Sequence, residues 1–437
     1  MAFIHKGKEI KSVSFFGFGK SNASVFEYLN KRYPELKFSA KPARKGEKLP
    51  GDIRILKASD DFSEDLVFVS PSIRRDSPEL LGKLLSSDAE LFFEQNKSEV
   101  FAVTGSDGKS TTVTLSALLT SSPAIGNIGI PFTRALENGK TQRYVTELSS
   151  FQLMNFAPKS KRAIITNISE NHLDWHLSYD EYISAKENVL KNTEEPVFFL
   201  DSDKSFELYF RNKASILASP KLSESEIRKH KAQTYIYIKD GAIYANGERL
   251  IGLSELSLRG EHNVKNFLSA IALTYGFFDK SNLMRVAQDF HGLPHRFELA
   301  DEVLGVKFYN SSIDSSPARS FVTLSSCTFP YVLIMGGRTK MRNFEILADI
   351  LEKNSHALVL IGENQCEIYE KLKSLRVPIY KETSLESATK KAYELAKGVC
   401  DVILSPASVS YDAFSDFEKR GEAYRLAIRK INTTDYK

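Results

Sequence analysis

The run Glu-Val-Phe-Ala-Val (99–103) passes directly into Thr-Gly-Ser-Asp-Gly-Lys-Ser-Thr (104–111) and on into the helical stretch STTVTLSALLT (110–120). A strand that turns through glycines into a helix is the first half of a parallel βαβ unit, so this segment commits its part of the chain to an α/β fold. The loop ends in the Gly-Lys-Ser of a phosphate cradle, yet Val103 stands where G-x-x-x-x-G-K-[ST] carries its first glycine. Either the turn is accidental or it is a phosphate loop of another kind.

Its position at a strand-to-helix junction favours the second reading, because the first N–H groups of a helix point at whatever anion sits there. Gly105 and Gly108 let the backbone approach phosphate oxygens, with Ser106, Asp107 and Thr111 completing the turn. Lys109 can neutralise the outer phosphates, and Ser110 offers a hydroxyl to Mg²⁺.

At 437 residues the chain exceeds one core and is expected to form about three domains. Residues 1–94 alternate short β-rich runs (SVSFFG, LKFS, DIRI, LVFVS) with helical patterns, the mark of a Rossmann-like parallel sheet. The turn GFGKSN places Gly17, Gly19 and Ser21 where a diphosphate could bind, although a plain tight turn reads equally well. Residues 95–298 form the central unit of P-loop type, with strands predicted at 143–147, 163–167 and 197–201. In YIYIKDGAIYANGERL, Asp-Gly and Asn-Gly between alternating residues predict added antiparallel hairpins. Residues 299–437 alternate VKFYN, YVLIMGG, ALVLIG and DVILS with helical stretches, a second Rossmann-like α/β unit.

The surplus of 59 Lys+Arg over 55 Asp+Glu is too small and too scattered for a nucleic-acid partner. No segment is apolar enough to span a bilayer and the N-terminus has no secretory pattern, so the expectation is a cytoplasmic monomer with no membrane partner. Cys327, Cys366 and Cys400 lack any Cys-x-x-Cys pairing and read as small buried hydrophobes.

The variant T-G-[ST]-[DN]-G-K-[ST]-T resembles the phosphate loop of the Mur ligase superfamily, ATP-dependent enzymes that form amides. The chain repeats the family's other motifs nearly end to end: GNIG (126–129), TELSSFQL (146–153), NISENHLDWH (167–176), AKENVL (185–190), LRGEHNVKN (258–266), LPHRFE (293–298), MGGRTK (335–340) and SPASVSYDAFSDFEKRG (405–421). TELSSFQL is similar to the glutamate-adding branch. That resemblance implies ligation of D-glutamate to UDP-N-acetylmuramoyl-L-alanine through an acyl phosphate, with ATP and Mg²⁺ consumed or bound. The alternatives are a folylpolyglutamate synthase-like or other Mur-type ligase, or a degenerate relative that only binds ATP.

The resemblance also assigns residues. Lys109, Glu147, His172 and Lys186 would carry the chemistry, with Ser110, Glu147, His172 and a carbamylated Lys186 around magnesium. Taken alone, Lys186 reads as a solvated helix lysine; the family match reverses that. Asn263 and Asn266 would lie near the adenine, or simply cap their helix, and Arg296 would reach ATP from a domain boundary. Lys20, Ser21, Asn127 and Ser149 would hold the UDP-linked substrate, and Ser315, Lys340, Ser410, Tyr411 and Phe417 the D-glutamate. The chain departs from the family where Asp-His-[LM]-Asp-[RK] reads Asn171-His-Leu-Asp-Trp175, where Ser311 replaces an ATP-binding aspartate with Asp314 close by, and where Ser72 replaces the glycine of Ser-Pro-Gly.

Overall fold

The structure, a computed structural model, describes residues 2–434 apart from 44–46, 48, 138–140, 174, 259, 340 and 341, and beyond residue 431 only the backbone. It divides into two compact units, Met1–Phe290 and His291–Lys437.

The first unit holds two large sheets and a two-stranded antiparallel ribbon of Phe3–His5 and Lys8–Ile10. The smaller contains β1 (Ser12–Phe16), β2 (Lys37–Lys41) and β3 (Leu66–Val69), flanked by two two-residue strands, all parallel, with β1 at the centre. All of β1 beyond Ser12 is buried, as a central parallel strand covered on both faces must be. Helix α1 (Lys20–Arg32) follows β1, and α2 (Asp88–Gln95) leads out of the sheet.

The larger sheet has nine strands: β4 (Glu99–Thr104), β5 (Ala124–Gly126), β6 (Arg143–Glu147), β7 (Lys159–Ile165), β8 (Asn192–Phe199), β9 (Ile216–Ser219), β10 (Thr234–Lys239), β11 (Ala242–Ala245) and β12 (Glu248–Gly252). Their spatial order is β12-β11-β10-β9-β8-β7-β4-β6-β5, parallel from β5 to β10 and antiparallel thereafter. Both predicted hairpin turns form. Asp240-Gly241 (φ 48° and 68°) and Asn246-Gly247 (φ 51° and 96°) take the left-handed conformation such two-residue turns demand.

Helix α3 (Lys109–Thr120) follows β4, α4 (Ser150–Leu153) follows β6, and α5 (Tyr179–Glu187) follows β7. The chain leaves β4 for β5 and β6, then returns across β4 to β7. The carboxyl ends of β6, β4 and β7 therefore border the switch point where α/β sheets take ligands. Strand β7 ends before the predicted 163–167 window does, because Thr166 and Asn167 turn away to brace the phosphate loop.

Helix α6 (Glu261–Thr274) packs along α3 and is buried almost all round from Asn266 onward. Its far end is fastened by Arg162, whose Nη1 donates to Leu273 O (3.1 Å) and Tyr275 O (2.7 Å). Those are carbonyls the helix itself leaves unpaired.

The second unit is built on β13 (Glu298–Val303), β14 (Val306–Asn310), β15 (Tyr331–Gly336), β16 (Ser355–Ile361), β17 (Ile379–Lys381) and β18 (Asp401–Leu404), ordered β13-β14-β18-β15-β16-β17. Only the β13–β14 pair is antiparallel, so β14, β18 and β15 end on one edge. Helix α7 (Pro317–Ser325) follows β14, and α8 (Phe417–Thr434) closes the unit. Of the cysteines, Cys327 is buried and Cys400 partly so; Cys366 is exposed, contrary to expectation, because it lies on the outer face of a short amphipathic helix. Among the described residues no helix is long and apolar enough to cross a membrane.

Candidate active site

The phosphate loop is a braced turn. Gly108 caps α3 at φ 74°, and Gly105 holds φ 152°. A Cβ on Gly105 would fall 2.0 Å from Thr166 Oγ1, and one on Gly108 would fall 2.0 Å from Asn266 Oδ1, so space as well as dihedral requires glycine at both. Thr166 Oγ1 donates to Asp107 O (2.7 Å), and Asn167 clips the same residue from both sides, accepting from Asp107 N (2.8 Å) and donating to Asp107 O (3.0 Å). Ser106 Oγ is bonded to Ser169 and to Tyr182 OH (2.8 Å). Lys109 Nζ donates to Gly105 O (3.0 Å) and Ser106 O (2.9 Å), which lays it along the loop. Ser110 and Thr111 form the first turn of α3, the end where helix N–H groups point outward.

Two groups beside this loop are chemically unusual. Lys186, on α5, is 2% exposed; its Nζ donates to Gly105 O (2.6 Å) and lies 4.6 Å from the Tyr182 ring centre. Burial first, and then the like charge of Lys109, push its ammonium well below the usual lysine range, against a weaker pull from Asp107 and Glu147. Glu147 ends β6, is 4% exposed, and its Oε2 accepts no hydrogen bond; Oε1 has only a long contact from Asn127 Nδ2 (3.4 Å). A buried carboxylate oxygen without a donor is costly unless a cation supplies the missing interaction. Asn127 is exposed, and Ser149 caps α4 in a reciprocal bond with Gln152.

His172 sits exposed at φ 56°, a left-handed turn held by Asn171 Oδ1, with its ring 4.9 Å from Phe151. The same loop returns to the protein at Trp175 and His176. His176 Nε2 meets Ser150 Oγ (2.9 Å), and the Trp175 ring stacks at a tilt on Phe151 (4.5 Å). Among the described residues no cluster of three or more His, Cys, Asp or Glu could hold a metal unaided. A cation here would draw on Glu147, a hydroxyl and the oxygens of a bound phosphate, and the unsatisfied Glu147 oxygen fits that demand.

The two asparagines divide. Asn266 is buried, with its amide oxygen over Gly108; Asn263 lies one turn earlier at the half-exposed start of α6, where Gly260 rather than an asparagine occupies the cap position.

At the carboxyl edge of the first sheet, Gly17 (φ 71°) donates to Lys41 O (2.9 Å), and a Cβ there would crowd Ile73, Ser70 and Ala43 at 3.0–3.3 Å. Lys20 is exposed at the start of α1. Ser21 is hydrogen-bonded to the buried Asp88, whose carboxyl is pushed up by burial. Glu47 accepts from Phe18 N (2.8 Å) and Ala43 N (3.2 Å).

In the second unit, Ser315, Ser410, Tyr411 and Phe417 lie on the loops after β14 and β18 and at the start of α8. Ser410 is buried and Tyr411 is 61% exposed. Lys340 lies outside the described residues. Arg296 lies half-buried between His295 and Phe297, both left-handed at φ 62° and 47°. Two residues that sequence reasoning passed over hold this edge together. Arg420 is 1% exposed; it donates to Ser312 Oγ (3.0 Å), Ser312 O (2.8 Å) and Ser408 O (3.0 Å). Asn364 joins the turn after β15 to the loop after β18, accepting from Gly337 N (2.9 Å) and donating to Ser408 Oγ (2.8 Å).

Residues 103–274, from the phosphate loop through α6, match the Mur ligase middle domain. The chain is 37% identical, over 389 residues covering 84% of it and 83% of the relative, to the UDP-N-acetylmuramoylalanine–D-glutamate ligase of Acetivibrio thermocellus. The chain belongs to the Mur ligase family. Among solved structures, the UDP-N-acetylmuramate–alanine ligase of Thermotoga maritima shares its fold at a TM-score of 0.60 and 20% identity, covering 96% of this chain and 99% of the other. The folylpolyglutamate synthase of Mycobacterium tuberculosis complexed with ADP aligns at 0.55 and 13% identity, covering 78% and 93%.

Against the Mur ligase pattern, the departures take physical form. Ser311 is buried, and its Oγ accepts from Phe297 N (3.2 Å). Asp314 is no surface substitute for the missing aspartate. Its carboxylate is 4% exposed and accepts from Ser405 Oγ (2.8 Å), which also bonds Ser320, while burial pushes its pKa up. Trp175 and Ser72 touch each other: the indole Nε1 donates to Ser72 O (3.0 Å).

Proposed function

We propose that the chain is an ATP-dependent amide ligase that joins D-glutamate to UDP-N-acetylmuramoyl-L-alanine, yielding ADP and phosphate, in peptidoglycan precursor synthesis. The observation that carries this reading is the braced phosphate loop flanked by the buried Lys186 amine and the unsatisfied Glu147 carboxylate, in a chain 37% identical to a ligase of that name.

The substrate carboxylate attacks the terminal phosphorus of ATP, ADP leaves, and an acyl phosphate forms. The amine of D-glutamate then attacks the acyl carbon, and collapse of the tetrahedral adduct expels phosphate and leaves the amide. Lys109 and the N–H groups of the loop hold the phosphates in line and offset their charge. Mg²⁺ bound between Ser110, Glu147 and the phosphates, with His172 at a second position, would supply further neutralisation of that charge.

Lys186 fits a modified role. Burial and the charge of Lys109 both favour the unprotonated form of this amine, the form that adds to CO₂ with loss of one proton to give a carbamate. That turns an expensive buried cation into an anion beside the metal position. Asn266, against Gly108, supports the loop from the side assigned to the adenine. Lys20, Ser21, Asn127 and Ser149 are assigned to the UDP-linked substrate, and Ser315, Lys340, Ser410, Tyr411 and Phe417 to D-glutamate, with Arg296 reaching ATP. The three larger sheets would accordingly divide the work: residues 1–94 for the uridine nucleotide, 95–298 for ATP, and 299–437 for the amino acid.

Phosphate release measured with ATP, D-glutamate and UDP-N-acetylmuramoyl-L-alanine tests the reading. Turnover that requires all three supports it; release only with a folate acceptor, or none with any acceptor, overturns it.

A further inference from the structure

The first sheet and the nine-stranded sheet meet at a clasp built from residues that the mechanism does not use. Arg74, five residues past the end of β3, makes a two-pronged pair with Glu181 at the start of α5: Nη1 to Oε2 (2.9 Å) and Nη2 to Oε1 (3.0 Å). The same Nη1 donates to Trp175 O (3.1 Å), the guanidinium lies 5.2 Å from the Trp175 ring centre, and Asp76 binds Nε and Nη2 from its other edge. Both Arg74 and Glu181 are about four-fifths covered, with side chains 21% and 19% exposed. Bidentate arginine–carboxylate pairs are stronger and more directional than ordinary surface pairs.

The clasp is continuous with both ligand-facing turns. On one side, Ser72 O takes the Trp175 N–H, and Ser70 packs against Gly17, the turn assigned to the diphosphate. On the other, Trp175 N and His176 N donate to His172 O (3.1 and 2.9 Å), so the turn that carries His172 is tied directly to the clasped residues. Glu181 also accepts from Leu177 N (2.8 Å), and His176, 3.4 Å from Glu181, reaches Ser150 near Glu147. A UDP-linked carboxylate must extend from the Gly17 turn to the phosphate loop, and its two ends would be held by segments that this one guanidinium keeps in register.

We infer that Arg74 is a positioning residue: by pinning the His172 turn to the Ser70–Ser72 turn it sets the affinity for the UDP-linked substrate far more than that for the nucleotide at the phosphate loop. The inference rests on the ligase reading above. Trp175 is the single tryptophan of the chain, so its emission reports this junction alone.

The test is calorimetric titration of the full chain and its Arg74→Ala and Arg74→Lys variants with UDP-N-acetylmuramoyl-L-alanine and, separately, with Mg-ADP. Arg74→Ala should weaken the UDP-linked ligand about tenfold while Mg-ADP stays within about twofold, and Arg74→Lys, which keeps one prong, should fall between. Trp175 emission should shift to the red in Arg74→Ala as the ring loses its cover. Should Arg74→Ala fail to fold, the lysine variant carries the same comparison. Equal affinities in all three proteins, or an equal loss for both ligands, overturn the positioning role. A wild type that does not bind the UDP-linked ligand at all removes the ligase reading, and the clasp's role with it.

Discussion

Lys186 and Arg420 are both buried basic side chains beside the carboxyl edge of a sheet, 2% and 1% exposed, and their surroundings treat them in opposite ways. The lysine has one described hydrogen bond, to Gly105 O, an aromatic ring, and Lys109 as its nearest like charge, so its ammonium is held well below the ordinary range. The guanidinium spends its N–H groups on the oxygens of Ser312 and Ser408; burial lowers it only to about 10, with Asp412 and Asp314 opposing, so it stays charged at neutral pH. The contrast separates two uses of a desolvated cation. Starved of partners, it is pushed towards the neutral amine. Saturated with carbonyls, it becomes a brace.

The largest expected effect breaks the first half of that comparison. Lys186→Ala and Lys186→Arg should each cost about 10³-fold in turnover, because neither side chain can carry a carbamate. In wild-type protein equilibrated with ¹³C-bicarbonate, a carbamate resonance should appear and be absent from Lys186→Arg. A fully active arginine variant would show that a plain cation suffices there. Arg420→Met tests the other half. It should lower stability to denaturant by about 2 kcal/mol, because the oxygens of Ser312 and Ser408 lose buried donors. It should also raise the KM for D-glutamate with that for ATP unchanged; an unchanged melting profile would refute the bracing role.

The difference also explains what could be seen in advance. The phosphate loop was legible because its glycines are demanded locally, by φ and by the approach of Thr166 and Asn266. The hairpins were legible because Asp-Gly and Asn-Gly encode their own turns. Arg420 was not, since its partners come from Ser312 and Ser408, although its spacing from Tyr424, Ile428 and Ile431 sets it on the buried face of α8. The pairing of Arg74 with Glu181 was not legible either, because the two lie 107 residues apart. Asp314 stood beside the missing acid in sequence, yet its side chain points into a serine cluster; adjacency along the chain says little about direction at a loop.

A smaller effect sharpens how tightly the loop and α6 are joined. Gly108→Ala forces a Cβ to within 2.0 Å of Asn266 Oδ1 at φ 74°, so Asn266 must yield. Stability should fall by about 1–2 kcal/mol, and Mg-ADP should bind about tenfold more weakly. The added substitution Asn266→Ala removes the clash and should recover part of the stability; no recovery would place the strain in the backbone alone.

The smallest expected effect concerns Glu181, a third mode of holding charge: paired, partly exposed, and facing Arg74, Asp76 and His176. Hydrogen bonds from Arg74 come first in holding its carboxyl down to about 2. A carboxylate whose folded pKa lies below its unfolded one stabilises the fold fully above the unfolded value, near 4.3, and loses that contribution as pH falls through the folded value. Glu181→Gln should therefore melt lower than wild type by a constant margin, about 1 kcal/mol, from pH 5 to 8, with the margin shrinking between about pH 4.3 and 2. His176, whose pKa burial lowers against the pull of Glu181, faces the same carboxylate. A margin that instead grew on acidification would mean the glutamate is better held protonated, and that Arg74 is engaged by Asp76 alone.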